Sequence, residues 1–259
     1  MKEEKKTVSD TTETVFEGMI SVRALLDAQK GAHNDRKIHA LLYLEERKKS
    51  HIKEYAYLNH RAEEYGFPLI LCAREEIEKK ALGNSHGGVL ALCSERTIKS
   101  LSAQDIDPHG FYVMMEGIED PYNFGYALRS LYAAGVNGVI LTSGVRQGAD
   151  GIIARSSAGA SERMPLFLSD PQNAVTLFQA QGYKIVSADL PNSIPVYDAD
   201  LTKPLLLVVG GEKRGITRGV LDASDAIVRL DYGRAFDAAL SAASAASILA
   251  FEVFRQNRG

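Results

Sequence analysis

The chain of 259 residues has little cysteine, no long apolar run and no excess of positive charge. Its two cysteines, Cys72 and Cys93, form neither a disulfide framework nor a metal-binding set, which favours a reducing compartment. The polar N-terminus lacks the apolar core of a secretory signal, and no segment approaches the roughly 20 apolar residues of a membrane span. These absences predict a cytoplasmic protein with no membrane partner.

The charge balance limits the partners that composition alone suggests. Thirty Lys and Arg side chains stand against 33 Asp and Glu, so the formal net charge is −3. A surface that binds nucleic acid must therefore come from a local basic cluster. Hydrophobic residues make up 45% of the chain, which excludes a mainly disordered protein and leaves enough apolar material for a buried core.

Alternating helical and strand-like patterns divide the chain into two parts. The first 14 residues carry almost no large apolar side chain, so a disordered tail is predicted over residues 1–14. Residues 15–94 predict a small α/β domain, and the polar segment 95–110, which ends in Pro-His-Gly, predicts a linker. Residues 111–259 predict a second α/β domain.

The same patterns give bounds for individual elements. The predicted helices are Glu17–Lys30, Arg47–Tyr65, Ala73–Leu82, Asn123–Ala134, Gly151–Ala158, Pro171–Gln181 and Ala238–Gln256. The predicted strands are Ile38–Leu44, Pro68–Cys72, Gly88–Cys93, Tyr112–Met115, Gly138–Leu141, Pro165–Leu168, Lys184–Ser187, Leu205–Val209 and Ala226–Leu230. Strands that are apolar throughout, such as Leu205–Val209, indicate a parallel sheet with helices on both faces.

Three loops follow predicted strands of the second domain, where ligands of open parallel sheets bind. The first turns at Asp120-Pro121, and a helix begins near Asn123, with Arg129 six residues further on. Spacing alone favours a capping role for Asn123 and a solvated Arg129. The third follows the strand that ends at Leu230 and leads to a helix that opens near Ser241, which is most simply an early polar residue of that helix.

The second loop reads Gly210-Gly211-Glu212-Lys213-Arg214-Gly215. Its glycines allow the backbone to approach a ligand closely. It matches neither the Gly-x4-Gly-Lys-Ser/Thr phosphate loop nor the Gly-x-Gly-x-x-Gly dinucleotide fingerprint. A nicotinamide-dependent reductase on a doubly wound sheet is therefore a weak candidate, and the loop alone is compatible with an ordinary tight turn.

In order and spacing the three loops resemble the three motifs of the SPOUT RNA methyltransferases, specifically the SpoU-type ribose 2′-O-methyltransferases. The first motif is an acidic-Pro-x-Asn turn with an Arg six residues after the Asn, the second is Gly-x-Glu-x-x-Gly after an apolar strand, and the third opens an Ala-rich helix that ends in an aromatic-Glu pair. The matching residues here are Asp120, Pro121, Asn123, Arg129, Gly210, Glu212, Gly215, Leu230, Leu240, Ser241, Phe251 and Glu252. The resemblance covers residues 111–257.

The resemblance implies a parallel α/β sheet with a C-terminal trefoil knot, in a homodimer whose active site draws on both subunits. The first domain resembles more faintly the ribosomal-protein-L30-like (L30e-like) α/β domain that binds the RNA substrate in this family, through Phe16–Leu25 and His86–Val89. A separate N-terminal domain of this kind favours ribosomal RNA over tRNA as the substrate.

The resemblance also implies S-adenosylmethionine as the cofactor and a ribose 2′-hydroxyl of structured RNA as the methyl acceptor. The implied cofactor contacts are Ala188, Asp189, Gly210, Gly211, Leu230, Tyr232 and Leu240. The implied catalytic residues are Asn123, Arg129, Glu212 and Ser241. Because an arginine stays protonated in proteins, we expect Arg129 to clamp a phosphate and stabilise developing negative charge rather than to act as a base.

Two departures from the family pattern leave a second interpretation open. Ser241 stands where the family has Asn, and Leu230-Asp231-Tyr232 stands where it has Ile-Pro-Met. A knotted RNA-binding protein that no longer methylates is therefore the alternative to an active enzyme.

Local basic residues predict where RNA would bind. The segment from Arg36 to Lys53 is rich in Lys and Arg, and the simpler interpretation of such a run is a solvated helix face. Within a domain that resembles a substrate-binding module, it indicates RNA contact. The predicted RNA-binding residues are Arg36, Lys37, Arg47, Lys48 and Arg155.

Overall fold

The computed structural model describes residues 13–31, 33–84, 86–142, 148–211 and 213–258. The chain forms two compact units, one within residues 1–22 and 35–97 and the other within residues 23–34 and 98–259. The predicted tail falls almost wholly outside the described residues, and its last residue, Thr14, already belongs to a strand. None of the described helices combines the length and the apolar composition that a membrane span requires.

The first unit is built around a four-stranded mixed sheet in the order β1-β4-β2-β3. Strands β1 and β2 run antiparallel to β4, and β3 runs parallel to β2. A helix that begins in this unit, α1, ends in the second. The elements are β1 Thr14–Glu17, α1 Gly18–Ala28, β2 Ile38–Leu44, α2 Arg47–Ser50, α3 Ile52–Tyr65, β3 Leu69–Cys72, α4 Arg74–Lys80 and β4 Val89–Cys93.

The second unit contains an eight-stranded sheet in the order β10-β12-β9-β11-β6-β7-β8-β5, with every neighbouring pair parallel. Its strands are β5 Lys99–Ser100, β6 Phe111–Glu116, β7 Gly138–Leu141, β8 Leu166–Leu168, β9 Lys184–Ala188, β10 Ile194–Pro195, β11 Leu205–Gly210 and β12 Ala226–Arg229. Its helices are α5 Pro121–Ala133, α6 Asp150–Ser156, α7 Ala160–Arg163, α8 Pro171–Ala180, α9 Arg218–Asp222 and α10 Ala242–Asn257.

Both faces of this sheet are buried. On β6, Phe111, Val113 and Met115 pack into one apolar cluster with α5 and α10, whereas Tyr112 and Met114 pack into a second cluster with α8. A strand buried on both faces has no polar side to expose, which explains the uninterrupted apolar sequence of β6 and β11. The predicted parallel α/β fold class is confirmed.

The segment predicted as a linker is part of the second unit from residue 98 onward. Lys99-Ser100 pairs in parallel with Phe167-Leu168 of β8, at the edge of the large sheet. The Lys99 ammonium lies 5.5 Å from the centre of the Phe167 ring. The linker prediction over 95–110 is therefore wrong for this stretch, because a two-residue polar edge strand leaves no periodic apolar pattern in the sequence.

The single helix predicted at Arg47–Tyr65 is two helices, α2 and α3, that meet at His51. A partly buried polar network joins them. Arg47 donates to both carboxylate oxygens of Glu54, at 2.7 and 3.1 Å, and the Tyr43 hydroxyl donates to Glu54 Oε1 at 3.0 Å. Burial, with the Glu54 carboxylate beside it, raises the pKa of Tyr43 to about 12, and the hydrogen bonds from Arg47 hold the pKa of Glu54 below its ordinary range.

Candidate functional site

Strands β12, β9 and β11 lie side by side, and their carboxyl ends open onto a cavity of about 250 Å³. The first turns of α10 and the residues that precede it form the opposite wall. All seven predicted cofactor contacts line this cavity: Ala188, Asp189, Gly210, Gly211, Leu230, Tyr232 and Leu240. The fold thus brings together residues that are separated by up to about fifty positions in the chain.

The glycine loop after β11 folds back on its own backbone. The Gly211 N–H donates to the Glu116 carbonyl at 2.6 Å, and Gly211 also bridges to Gly215. A Cβ atom on Gly211 would lie 2.2 Å from the Gly117 carbonyl oxygen, and one on Gly210 would lie 2.7 Å from Gly215 C. The close approach of these backbone segments therefore requires glycine at both positions. Glu212, predicted as catalytic, lies outside the described residues.

Glu116, at the end of β6, holds the same loop and was not among the predicted site residues. It is only 6% exposed, and its Oε1 accepts a hydrogen bond from Thr217 N at 3.2 Å, whereas its Oε2 is buried without a partner. Its carbonyl and its carboxylate thus hold the two ends of the loop between Gly211 and Thr217. The sequence feature that could have identified Glu116 is an acidic residue at the end of an otherwise apolar strand.

Tyr232 fixes the opposite wall of the cavity. Its hydroxyl accepts a hydrogen bond from Leu240 N at 3.2 Å, and its ring lies 6.0 Å from that of Phe236. Asp231 forms an ion pair with Arg229 at 2.8 Å. The two residues that depart from the family pattern at this strand end, Asp231 and Tyr232, therefore tie the segment after β12 in place.

Ser241 is the N-cap of α10. Its Oγ accepts a hydrogen bond from Ser244 N at 3.2 Å and lies 3.1 Å from Ser244 Oγ. The hydroxyl satisfies one of the backbone N–H groups that the first helical turn leaves unpaired. The simpler interpretation of Ser241 as a polar residue at the helix start thus matches its geometry, and its neighbour Leu240 lines the cavity.

Asn123 and Arg129 both lie on α5. The cap of this helix is Asp120, whose Oδ1 accepts a hydrogen bond from Asn123 N at 2.7 Å, so the capping role considered for Asn123 is wrong. Within the described part of the chain, the exposed Arg129 side chain makes no hydrogen bond and no ion pair. Its guanidinium is available to a ligand.

The predicted RNA-binding residues differ in how the fold places them. The prediction that Arg36 binds RNA is wrong, because its side chain is only 4% exposed. It donates a hydrogen bond to the Ser94 carbonyl at 3.1 Å and lies over the Phe16 ring at 5.1 Å, so it stabilises the first unit from inside. Arg47 is half-buried and held by Glu54. Lys37, Lys48 and Arg155 are exposed.

Comparison with known proteins identifies the second unit. A model of the SpoU rRNA Methylase family matches residues 110–251, which is more than half of the chain. Over nearly its full length, the chain is also similar to the 23S rRNA (guanosine-2′-O-)-methyltransferase RlmB of Shewanella oneidensis. The identity is 27% over 248 residues, which cover 93% of this chain and 96% of the relative.

Two solved structures share the fold. The AdoMet-bound rRNA methyltransferase from Sinorhizobium meliloti superposes with a TM-score of 0.77 at 21% identity, covering 96% of this chain and 90% of that chain. The SpoU methyltransferase AviRb from Streptomyces viridochromogenes, in complex with AdoMet, also gives a TM-score of 0.77 at 21% identity, covering 94% and 90%. At these identities the structures establish the fold alone. The family match establishes the protein class: the chain belongs to the SpoU rRNA methylase family.

Proposed function

We propose that the protein transfers the methyl group of S-adenosylmethionine to a ribose 2′-hydroxyl of ribosomal RNA. One observation carries the proposal. In a chain of the SpoU rRNA methylase family, the seven residues expected to contact the cofactor line a single cavity at the carboxyl ends of three parallel strands. This is the place where ligands bind in open α/β sheets.

The residues of this cavity suit the cofactor. Leu230, Leu240 and Leu249 supply apolar contacts for a flat purine, and the backbone of Gly210 and Gly211 brings polar groups to its edge. The Asp189 carboxylate accepts hydrogen bonds from a ribose or an ammonium group. The cofactor supplies an electrophilic methyl group on a sulfonium.

Arg129 acts on the RNA side of this reaction. Its exposed guanidinium has no partner in the described part of the chain and, as an always-charged bidentate donor, suits a phosphate beside the target ribose. There it orients the 2′-hydroxyl and stabilises the negative charge that develops on it. Asn123, Glu212 and Ser241 complete the proposed catalytic set.

Ribosomal RNA is favoured over tRNA by the full-length relative. The Shewanella oneidensis protein is named for 23S rRNA and matches both units of this chain. The first unit then serves as the RNA-binding module with an L30-like fold, and its exposed Lys37 and Lys48 supply phosphate contacts. Methylation of ribosomal RNA suits a cytoplasmic enzyme.

A second copy of the chain covers the outer surface of α5 and α10. These two packed helices expose large apolar side chains that a monomer would leave in water: Tyr122, Tyr126, Ile248, Phe251 and Phe254. An exposed apolar patch of this kind is typical of an interface. The homodimer, like the C-terminal trefoil knot, belongs to the family pattern and is part of this proposal.

Calorimetry and sedimentation test the cofactor site and the dimer. We expect S-adenosylmethionine to bind at one site per chain, and the protein to sediment as a dimer. No heat at millimolar cofactor would refute the cofactor site, and a monomer would refute the dimer.

The alternative of an RNA-binding protein without catalysis is favoured by the Ser241 hydroxyl, which is engaged in capping α10. In that case RNA binds but no methyl group is transferred.

A further inference from the structure

The first unit contains a cavity of its own, of about 530 Å³. It lies between the end of β2, helix α4 and the segment that leads into β4. Its volume is within the range of about 300–1,000 Å³ that is typical of sites for small ligands. Apolar side chains, Leu44, Ala81 and Leu82, form part of its wall, and Arg74, Glu78 and His86 supply charged and polar groups.

The wall of this cavity is held in place by specific contacts. The Glu17 carboxylate accepts hydrogen bonds from the backbone N–H groups of Leu82 and Gly83, the latter at 2.9 Å. His86 Nδ1 accepts one from Gly88 N at 3.0 Å. Gly88 has a φ of +78°, and a Cβ atom there would lie 2.8 Å from Leu44 Cβ. These contacts fix the shape of the cavity wall.

The charges at the cavity are nearly balanced. Arg47 also lines it, but its guanidinium is paired with Glu54. The Arg74 side chain is 57% exposed and has one long contact, at 3.4 Å, with Glu46. Because His86 Nδ1 accepts a hydrogen bond, the neutral imidazole carries its proton on Nε2 and offers a donor. One available guanidinium, one carboxylate and one imidazole donor suit a ligand with a single phosphate and a planar polar ring.

We propose that this cavity binds one unpaired nucleotide of the RNA substrate. The Arg74 guanidinium stacks on the base or pairs with its phosphate, and Glu78 and His86 contact the polar edge of the base. Recognition of unpaired bases by arginine planes and side-chain hydrogen bonds is how proteins read single-stranded RNA. The proposal rests on the proposed function only in taking RNA as the substrate.

A single tryptophan placed at the cavity reports its occupancy. The chain has no tryptophan, and Leu82 is 62% exposed at the cavity wall, so Leu82→Trp adds one fluorophore there. Tyr197→Trp, at an exposed position of the second unit, is the matched reporter away from the cavity. The probes are the four nucleoside 5′-monophosphates and four single-stranded RNA heptamers, each heptamer consisting of a single type of base. We expect saturable quenching of the Leu82→Trp reporter alone, stronger with a heptamer than with its monophosphate.

Three further variants in the reporter background locate the contact. Arg74→Ala should weaken binding of the heptamer about tenfold, which is typical for loss of one stacking contact. Arg74→Lys keeps the charge without the planar group and should recover only part of this loss. Lys79→Ala removes the same charge from the same helix outside the cavity and should leave binding unchanged.

The outcomes separate this proposal from the proposed function. Equal losses in Arg74→Ala and Lys79→Ala, or no saturable quenching by any heptamer, would overturn the nucleotide site. Quenching by a monophosphate that no heptamer displaces would also overturn it, in favour of a site for free nucleotides. All of these titrations omit S-adenosylmethionine, so failure of the cofactor to bind leaves their result intact. In the active enzyme, Arg74→Ala should raise the KM for RNA and leave kcat unchanged.

Discussion

Two cavities in the described part of the chain are built by different means. In the second unit, three parallel strands end together, and backbone contacts at Gly210 and Gly211 shape an apolar pocket. In the first unit, side chains such as Glu17 and His86 hold a loop that surrounds a more polar cavity. A site made by strand ends follows from the topology of the sheet, whereas a site made by side-chain contacts depends on particular residues at particular positions.

This difference determines how substitutions should act. Glycine substitutions at the strand-end pocket should displace the backbone and thereby weaken binding of the cofactor. Substitutions of charged residues in the first unit should change local stability or RNA affinity and leave the cofactor site intact.

The largest effect is expected for Arg129→Ala. Loss of a charged donor that acts in the transition state typically lowers the rate by about 10²–10³-fold. Methyl transfer at saturating RNA should fall by this factor, with the cofactor Kd unchanged in calorimetry. Arg218→Ala, which removes another exposed arginine of the second unit, is the control and should retain its activity. Loss of cofactor binding in Arg129→Ala would assign Arg129 a structural role.

Gly211→Ala should weaken cofactor binding about tenfold to a hundredfold. The added methyl group would lie 2.2 Å from the Gly117 carbonyl oxygen, so the loop must move, at a cost of about 1–3 kcal/mol. Gly233→Ala is the matched control, since its Cβ would meet nothing within 4 Å. The comparison is made by titrating both variants with S-adenosylmethionine. Equal affinities would contradict the role of the glycine loop.

Substitutions of Ser241 test whether the presence of Ser where the family has Asn matters for catalysis. Ser241→Ala removes the cap of α10 and should lower the stability of the second unit by about 1 kcal/mol. Ser241→Asn keeps a capping side chain and should restore that stability. If the chain is an active enzyme, Ser241→Ala should also lower turnover, and Ser241→Asn should bring no gain. A gain of methyl transfer in Ser241→Asn would support the alternative interpretation, in which the catalytic activity of this chain is weakened.

The smallest effect is expected for Glu54→Gln. The hydrogen bonds from Arg47 hold the pKa of Glu54 below its ordinary value of 4.5. A carboxylate whose pKa is lowered by folding stabilises the fold above its unfolded pKa and loses that contribution as the pH falls through the folded pKa. Glu54→Gln should therefore cost about 0.5–1 kcal/mol at about pH 7 and less at about pH 3.5.

Urea unfolding, followed by circular dichroism at both pH values, measures this difference. Glu46→Gln is the control, because Glu46 is exposed and has only a long contact with Arg74. A cost for Glu54→Gln that does not change with pH would contradict the role of its charge.

The second unit could be predicted further from its sequence than the first. Apolar strands such as β7, predicted and observed at Gly138–Leu141, have few alternatives once the sheet is parallel. Three motifs in order then placed the cofactor residues at strand ends that the fold brings together. The family and the fold class are confirmed, whereas the role of each site residue stays a prediction.

The first unit shows why the rest could not be predicted. A run of basic residues gives no information about which side chains turn inward, and Arg36 is buried over Phe16. His51, at φ −126° and ψ 52°, interrupts the predicted helix between Arg47 and its partner Glu54, and no local propensity reveals this break. In the same way, Ser241 begins α10 later than the apolar period suggested, because a capping hydroxyl rather than the period sets the helix start.

Tritium-labelled methyl transfer tests directly whether the protein methylates a ribose 2′-hydroxyl of ribosomal RNA. The purified full chain is incubated with labelled S-adenosylmethionine and unmodified 23S ribosomal RNA, and the RNA is then digested to nucleosides. We expect label in a single 2′-O-methylated nucleoside, no such label from unmodified tRNA, and loss of the label with Arg129→Ala. Label on a base, or RNA binding without any transfer, would contradict it.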